Sequence, residues 1–364
     1  MNVVARVLLC IVGIVAVMGT IGSAVRTVIL PRAVASRITR RVFRSLRAAF
    51  DFWLKSASYE RTDRVMALYG PISVLALLLT WMLILFAAFT LILWSAGIRP
   101  WRDAFQTSGS SLLTLGFQHP HDIPSLSIVF TEAALGLFIL ALLITYLPTV
   151  YQAFSQREEM VALVAVRAGT PPSAVEMLQR YNLIEFRRGL EEWWPRWEEW
   201  FNQIEETHTS LPVLAFFRSP QPQHSWVTAA GTILDCASLV SSTVEGPRQP
   251  DAELCIRAGY IALRSISAFF RIPFNGDPTP DDPISITRHE WEEACRRLEQ
   301  AGVPLKTDRE QAWKDFAGWR VNYDDVLLGL ALLTVAPMAE WTSDRSLAGA
   351  RSGLQLTRRR GRRA

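Results

Sequence analysis

The sequence Ser108-Gly-Ser-Ser-Leu-Leu-Thr-Leu-Gly-Phe117 lies in the only short connection between two long apolar segments. This connection, residues 97–124, is too short to form a folded domain of its own. Its apolar run at 112–117 is also unusual for a turn that faces only water. The rest of the chain can therefore be placed relative to this loop and the two segments that flank it.

The two flanking segments have the length and composition of membrane spans. Residues 65–98 carry no charged side chain, and residues 126–150 form a second apolar run with Glu132 near its start. A helix needs about 20 apolar residues to cross the hydrocarbon core of a bilayer. Both segments meet this requirement, and charged residues become frequent again only from Arg157 onward.

A third uncharged run, residues 7–25, is flanked by Arg6 and Arg26. At about 1.5 Å per residue it extends about 28 Å, which is enough to span the hydrocarbon core. Its length and the arginine-rich stretch that follows favour a retained helix. A cleaved signal peptide is the alternative, because small residues occupy positions 22–24.

Residues 32–64 combine a high density of arginine with apolar residues at helical spacing. The pattern predicts an amphipathic helix on the inner membrane surface, with its apolar face toward the bilayer and its arginines toward anionic lipid. A helix packed on a neighbouring domain is an equally good interpretation. The basic residues of this segment are Arg32, Arg37, Arg40, Arg41, Arg44, Arg47, Lys55, Arg61 and Arg64.

The distribution of positive charge predicts an orientation in the membrane. Loops rich in arginine and lysine favour the cytoplasmic side, which places residues 32–64 inside. The N-terminus and the 97–124 loop are then outside, and everything after residue 150 is inside. The sequence therefore predicts a multi-pass protein of the cell membrane.

The part of the chain beyond residue 150 has the composition of an ordinary soluble helical protein. Apolar and aromatic residues recur at helical spacing, most clearly between Trp193 and Ile204, where a core-facing stripe is expected. The runs at 226–244 and 325–337 are short or interrupted by Asp235, which predicts buried helices and not spans. Strand-like alternation is scarce, so the chain is predicted to be all-α.

The loop between the spans has a composition suited to an ion pathway. Non-helical backbone is tolerated at membrane depth only where it is buried in protein or lines water. A short helix over residues 101–113, followed by an extended segment over 114–117, satisfies this condition. The C-terminal end of such a helix adds negative potential, and Gly116 permits a positive φ. Carbonyl oxygens can then replace the water around a cation.

Two spans that bracket a loop containing Thr-x-Gly-Phe resemble the two-transmembrane pore of the potassium-channel family. The resemblance covers residues 70–157 and implies that Thr114, Leu115, Gly116 and Phe117 occupy the first four positions of an ion filter. It also implies a homotetramer, because one pore loop per chain cannot close a ring. Potassium or another monovalent cation would be the transported ion, and no cofactor is expected.

The sequence departs from the family pattern at the fifth and sixth filter positions. The family has a glycine and commonly an aspartate there, whereas this chain has Gln118 and His119. Glutamine is strained in the left-handed conformation that the family glycine adopts. The departure is therefore expected to alter the outermost ion site of the filter and its selectivity for potassium.

Two residues of the third span are candidates for a supporting role. Glu132 is a charge in an apolar segment, and it could brace the filter from behind or face the outer water. Gly136 could act as a gating hinge, as a family glycine does nearby. Close packing of helices is an alternative explanation for a small residue at this position.

The predicted organisation has five parts: an N-terminal transmembrane helix at 1–30, a basic segment at 31–69, a pore domain at 70–157, a cytoplasmic helical domain at 158–350, and a basic disordered tail at 351–364. A non-conducting membrane scaffold or sensor that retains the pore fold, with the cytoplasmic domain as its binding module, is the competing interpretation. Gln118 favours the scaffold, whereas the intact motif at 114–117 favours the channel.

Enzymatic and metal-binding functions have little support in the sequence. The four cysteines, Cys10, Cys236, Cys255 and Cys295, have neither zinc-binding nor disulfide-framework spacing. The region beyond residue 150 has no phosphate-binding glycine loop and no spacing typical of a nucleophile and its base. We therefore expect no enzymatic activity, no metal and no nucleic-acid partner, and the sequence does not identify a ligand of the cytoplasmic domain.

Overall fold

The computed structural model describes residues 3–30, 36–54, 59–184 and 190–345 of the chain. Helix accounts for 75% of the structure, and no β-strand occurs among the described residues. An isolated antiparallel β-bridge joins Val244 and Leu305. The predicted all-α class is therefore confirmed. The predicted tail at 351–364, together with Arg32 and Lys55 of the basic segment, lies outside the described residues.

The described helices begin and end at defined residues, and side-chain caps explain several of the starts. Ser173, Ser225 and Thr287 each accept a hydrogen bond from a backbone N–H in the first turn of the helix that follows. In chain order the helices are α1 (Val3–Val28), α2 (Arg37–Trp53), α3 (Tyr59–Met66), α4 (Tyr69–Ala96), α5 (Trp101–Leu112), α6 (Ile123–Ala168), α7 (Ala174–Leu183), α8 (Trp194–Ser210), a 3₁₀ helix (Pro212–Phe216), α9 (Trp226–Ser242), α10 (Pro250–Phe270), α11 (Arg288–Gln300), α12 (Arg309–Arg320) and α13 (Asp324–Thr334).

Among the described residues, three helical stretches are long and apolar enough to cross a membrane: Val3–Val28, Arg61–Ala96 and Ile123–Ala168. The second includes most of α3 and all of α4. The third is longer than the predicted span at 126–150, because α6 continues without interruption for 46 residues. At about 1.5 Å per residue α6 extends about 69 Å, more than twice the thickness of a hydrocarbon core.

The chain divides into two compact units. The first unit consists of Met1–Ser58 and Leu68–Gln152, and it contains α1, α2, α4, α5 and most of the apolar part of α6. The second unit consists of Tyr59–Ala67 and Ala153–Ala364. Helix α3 therefore belongs to the second unit, although both of its chain neighbours, α2 and α4, belong to the first.

In the first unit, α1 and α4 pack closely at a glycine. A Cβ atom added to Gly13 would lie 2.6 Å from Cγ1 of Ile92 and 2.9 Å from the carbonyl oxygen of Ala88. Small residues at such crossings allow two apolar helices to approach each other and to gain van der Waals contact. Further along α1, Ser23 accepts a hydrogen bond of 3.1 Å from the indole N–H of Trp81.

The apolar face of α2 packs against protein in the first unit. Val42 and Phe43 contact the apolar cluster that α1 and α4 form. The rings of Phe43 and Phe50 meet the ring of Tyr69 edge to face, with centroids 6.4 Å and 5.5 Å apart. The sequence predicts this face to lie in the bilayer or on a neighbouring domain. In the structure α1 and α4 cover part of this face, where Phe43 and Phe50 fit against the start of α4, whereas Trp53 is 80% exposed.

In the second unit, the predicted aromatic stripe is confirmed as core. The stripe on α8 packs into a cluster that also contains residues of α7, α9, α10, α11 and α13. The apolar runs at 226–244 and 325–337 correspond to α9 and α13, whose apolar residues join the same cluster. The buried members of the stripe are Trp194, Trp197, Trp200, Phe201 and Ile204.

Asp235, which interrupts the apolar run of α9, binds a buried arginine. The Arg320 guanidinium donates hydrogen bonds to Asp235 at 2.5 Å and to Asp324 at 2.7 Å. Its remaining terminal nitrogen donates to the carbonyl oxygen of Trp341 at 2.7 Å. A buried charge is tolerated when it is paired and fully hydrogen-bonded, so these contacts explain a polar residue in the middle of this helix.

A second buried polar pair joins His208 to Arg157. Arg157 donates to Nε2 of His208 at 3.4 Å and to the carbonyl oxygen of Leu214 at 2.9 Å. The Nδ1 atom of His208 lies 2.9 Å from the carbonyl oxygen of Ile204, so Nδ1–H donates there and the ring is neutral. Burial and the nearby Arg157 charge lower the pKa of His208 well below its ordinary value.

We predict that Gly13→Leu lowers the thermal unfolding temperature of the detergent-solubilised protein by several degrees. The larger side chain would overlap Ile92 and push α1 away from α4, at a cost of about 1–3 kcal/mol. Gly19 is the matched control, because a Cβ atom there has no neighbour within 4 Å. Equal shifts for Gly13→Leu and Gly19→Leu would contradict this packing.

We predict that His208 makes the second unit less stable as the pH falls below about 6.5. The unfolded chain then binds a proton that the folded chain does not bind, so stability decreases by up to about 1.4 kcal/mol per pH unit. The contribution of His208 to stability is fully present above the ordinary pKa of histidine. It is lost as the pH falls toward the lower pKa that His208 has in the folded protein. Urea midpoints measured by tryptophan fluorescence between pH 7.5 and 5.5 report this slope.

The variant His208→Gln should show a shallower slope than the wild type over the same range, since glutamine does not titrate. His289→Gln, at an exposed position on α11, is the control and should retain the wild-type slope. Identical slopes in all three proteins would show that His208 is not the group responsible.

Candidate functional site

The candidate site is the C-terminal end of α5 and the loop that follows it. Helix α5 confirms the short helix predicted between the two spans, and it ends at Leu112. The backbone N–H groups of the next residues turn back onto it: Thr114 donates to the carbonyl oxygen of Ser111 at 2.9 Å, and Leu115 and Gly116 donate to that of Ser110 at 2.8 Å and 3.3 Å. These bonds satisfy helix carbonyls that would otherwise have no partner.

Two residues of this turn have positive φ. Gly116 has a φ of 71°, as the sequence predicts, and Thr114 has a φ of 53°. A residue with a side chain pays about 1–2 kcal/mol to adopt this conformation, so the capping bonds must outweigh that cost at Thr114. Residue 114 therefore begins the loop as a helix cap, where the sequence predicts an extended segment.

Gln118 does not adopt the strained conformation considered from the sequence. It is absent from the positive-φ residues of the described chain. Its backbone N–H donates a hydrogen bond of 3.0 Å to the hydroxyl of Ser110. Hydrogen bonds from backbone N–H groups thus join both ends of the 114–118 loop to α5.

The backbone acceptors of the loop remain unused. Among the described residues, none donates a hydrogen bond to the carbonyl oxygens of residues 114–117. The apolar side chains are also uncovered in the single chain, with Leu115 60% and Phe117 63% exposed. The loop therefore presents free carbonyl oxygens beside large exposed apolar groups, a combination typical of a surface that meets another partner.

Serine side chains of α5 form hydrogen bonds to the two flanking helices. Ser108 donates to Oε1 of Glu132 on α6 at 2.5 Å, and its oxygen also lies 3.2 Å from the carbonyl oxygen of Phe86 on α4. Ser111 donates to the carbonyl oxygen of Val129 on α6 at 2.7 Å. The sequence alone assigns these serines no role. The feature of the sequence that could have identified them is a cluster of hydroxyl side chains on a predicted helix between two apolar segments.

Glu132 lies behind α5 and not in the outer water. It is 0% exposed in the single chain, and its Oε2 atom has no hydrogen-bond partner among the described residues. In the single chain Glu132 thus does not face water, and a role in bracing a filter stays a prediction. A buried carboxyl needs hydrogen bonds, so the Ser108 hydroxyl is central to holding it.

Gly136 lies where the end of α5 meets α6. A Cβ atom added there would be 2.9 Å from Cδ1 of Leu112 and 3.1 Å from the carbonyl oxygen of Leu112. Close packing of the two helices therefore accounts for a glycine at this position. A role as a gating hinge stays a prediction.

The electrostatics of the site are those of a helix C-terminus. The C-terminal end of α5 carries the negative end of its dipole, and free carbonyl oxygens follow it directly. No group of three or more potential metal-ligating side chains occurs in the part of the chain that the structure describes. The oxygens available at this site are therefore those of the backbone and of hydroxyl and amide side chains such as Thr114 and Gln118.

We predict that Ser108→Ala destabilises the protein by about 1–3 kcal/mol, because it removes the hydrogen bond to a buried carboxyl. Ser127→Ala is the matched control, since the exposed Ser127 hydroxyl bonds only to its own helix at the Ile123 carbonyl. The double variant Ser108→Ala/Glu132→Leu should recover part of the loss, because no polar group is then stranded. Thermal unfolding of detergent-solubilised protein gives all three values. Equal losses at 108 and 127 would contradict the bracing role.

Compared with known proteins, the chain matches no protein-family model, no curated protein and no solved structure. The geometry of α5 and its loop is therefore the basis for an inference about function.

Proposed function

We propose that this chain is one subunit of a homotetrameric membrane channel that conducts monovalent cations through residues 70–157. The observation that carries the proposal is the set of free carbonyl oxygens at 114–117, directly after a short helix between two long apolar helices. In this proposal α1, α4 and α6 cross the cell membrane, with residues 97–124 outside and the second unit in the cytoplasm. The filter residues are Thr114, Leu115, Gly116, Phe117 and Gln118.

Tetramer formation supplies what the single chain lacks. Four copies around an axis bring four sets of carbonyl oxygens together, which is the number that replaces the hydration shell of potassium in a channel filter. Neighbouring copies would also cover Leu115 and Phe117, and burying a large apolar side chain stabilises an assembly by about 1.5–3 kcal/mol. The loop is thus suited to a symmetric contact between copies.

The bracing contacts support a filter that holds its shape. Ser108, Ser111 and Gly136 attach α5 to α4 and α6 over its last turns. Groups that bind a bare ion must keep their positions, since an oxygen that relaxes away loses the electrostatic interaction. A polar network behind the loop provides this rigidity.

A non-conducting scaffold or sensor is the second candidate, and one observation favours it. The backbone N–H of Gln118 bonds to Ser110, so the loop turns back onto α5 where the family filter continues with glycine. In this alternative the second unit acts as the binding module and the loop carries no ion.

We predict that the purified wild-type chain, reconstituted in liposomes, carries a potassium flux with weak selectivity over sodium. Gln118→Gly should raise the potassium-to-sodium permeability ratio, because glycine gives the fifth filter position access to the left-handed conformation. Gln118→Ala is the matched control, since it removes the side chain without that freedom, and it should leave the ratio unchanged. Reversal potentials under bi-ionic conditions measure the ratio.

Absence of flux from the wild type would support the scaffold instead. A permeability ratio that is the same in the wild type and both variants would show that residue 118 does not belong to the filter.

A further inference from the structure

We propose that α2 carries a binding surface for the phosphate headgroups of anionic lipids, formed by Arg37, Arg41 and Arg44. We call these three residues the arginine stripe. The inference rests on the membrane placement of α1 and α4 in the proposed function, but it does not require that the pore conducts.

The arginine stripe occupies one face of α2. At 3.6 residues per turn, spacings of four and three residues place the three side chains within an arc of about 60°. All three are exposed. The opposite face carries Val42 and Phe43, which pack against the apolar cluster of the first unit. The stripe is therefore turned away from α1 and α4.

Hydrogen bonds fix the height of α2 relative to the candidate spans. The hydroxyls of Ser36 and Ser23 share a hydrogen bond of 2.6 Å, and those of Thr39 and Thr27 share one of 2.9 Å. Because both numbers increase together, the first turn of α2 runs in the same direction as α1 and lies beside its last turns.

The start of α4 gives a second reference for this height. The hydroxyl of Tyr69, the first residue of α4, donates to the carbonyl oxygen of Phe43 at 3.2 Å. Helix α2 thus lies where α1 ends and α4 begins, which is the depth at which spanning helices leave the hydrocarbon and meet the headgroups. With its packed face toward the spans, the arginine stripe faces sideways into the surrounding headgroup layer.

The charges of the stripe are available to a ligand. No acidic side chain of the described residues forms a salt bridge with Arg37, Arg41 or Arg44, and Asp51 of α2 is bound to Arg47 at 3.0 Å. A guanidinium group presents a planar set of donors that matches the oxygens of a phosphate. Charge complementarity and position together identify the occupant as the phosphodiester headgroup of an anionic lipid.

The test uses the full chain, purified in detergent and mixed with equal amounts of dioleoyl phosphatidylglycerol and dioleoyl phosphatidylcholine. Native mass spectrometry counts the lipids of each kind that remain bound. The wild type should prefer phosphatidylglycerol. The triple variant Arg37→Gln/Arg41→Gln/Arg44→Gln should bind it about a hundredfold more weakly, at roughly fivefold for each arginine.

A matched variant removes three exposed arginines from the second unit, Arg196→Gln/Arg257→Gln/Arg296→Gln. It changes the net charge equally and should keep the wild-type preference. Replacement of the stripe by lysine should retain most of the preference, since the charge remains. An equal preference in all variants, or an equal loss in both triple variants, would overturn the inference.

Two further measurements distinguish a lipid headgroup from a soluble anion and check the membrane placement. Displacement of phosphatidylglycerol by millimolar inorganic phosphate would assign the stripe to a soluble ligand and overturn the lipid proposal. Resistance to extraction by alkaline carbonate shows whether the chain is embedded in a membrane. Loss of the preference in an embedded protein refutes the stripe alone, whereas extraction by carbonate refutes the membrane placement on which both proposals depend.

Discussion

The carbonyl oxygens that a helix leaves unpaired at its C-terminal end need hydrogen-bond partners, and the end of α5 shows how this chain supplies them. The last carbonyls of α5 accept the N–H groups of Thr114, Leu115 and Gly116. The carbonyl oxygens of residues 114–117 themselves receive no hydrogen bond from the described residues. Capping of a helix and presentation of free oxygens are therefore two consequences of one turn. The serine side chains of α5 also find hydrogen-bond partners within the protein.

The features that could be predicted from the sequence depend on properties of short segments. Uncharged runs of sufficient length predicted the three long apolar helices, and the composition of residues 101–113 predicted α5. Gly116 was expected to take a positive φ because glycine does so at the lowest cost. The stripe between Trp193 and Ile204 was expected to be core because its spacing is helical. Each of these inferences needs only the residue types and their spacing.

The features that could not be predicted depend on partners far away in the chain. An amphipathic pattern is the same whether its apolar face meets lipid or protein, so the sequence left both interpretations of α2 open. The contacts of Phe43 and Phe50 with Tyr69, which lies at the start of α4, are distant in the chain and could not be read from that pattern. The role of Ser108 depends on Glu132, which is 24 residues away. The positive φ of Thr114 follows from capping bonds that outweigh its conformational cost, which propensity alone does not reveal.

The channel and scaffold interpretations make different demands on the loop. If the loop of a scaffold meets no other copy, water must hydrate the carbonyl oxygens of residues 114–117, and Leu115 and Phe117 then stand in the same water without the stabilisation that burial gives. In a tetramer, a cation can take the oxygens and the neighbouring copies can cover the apolar side chains. A single assembly satisfies both kinds of group at once. The coexistence of free oxygens and exposed apolar groups within four residues is therefore consistent with the assembly of copies that the proposed channel requires.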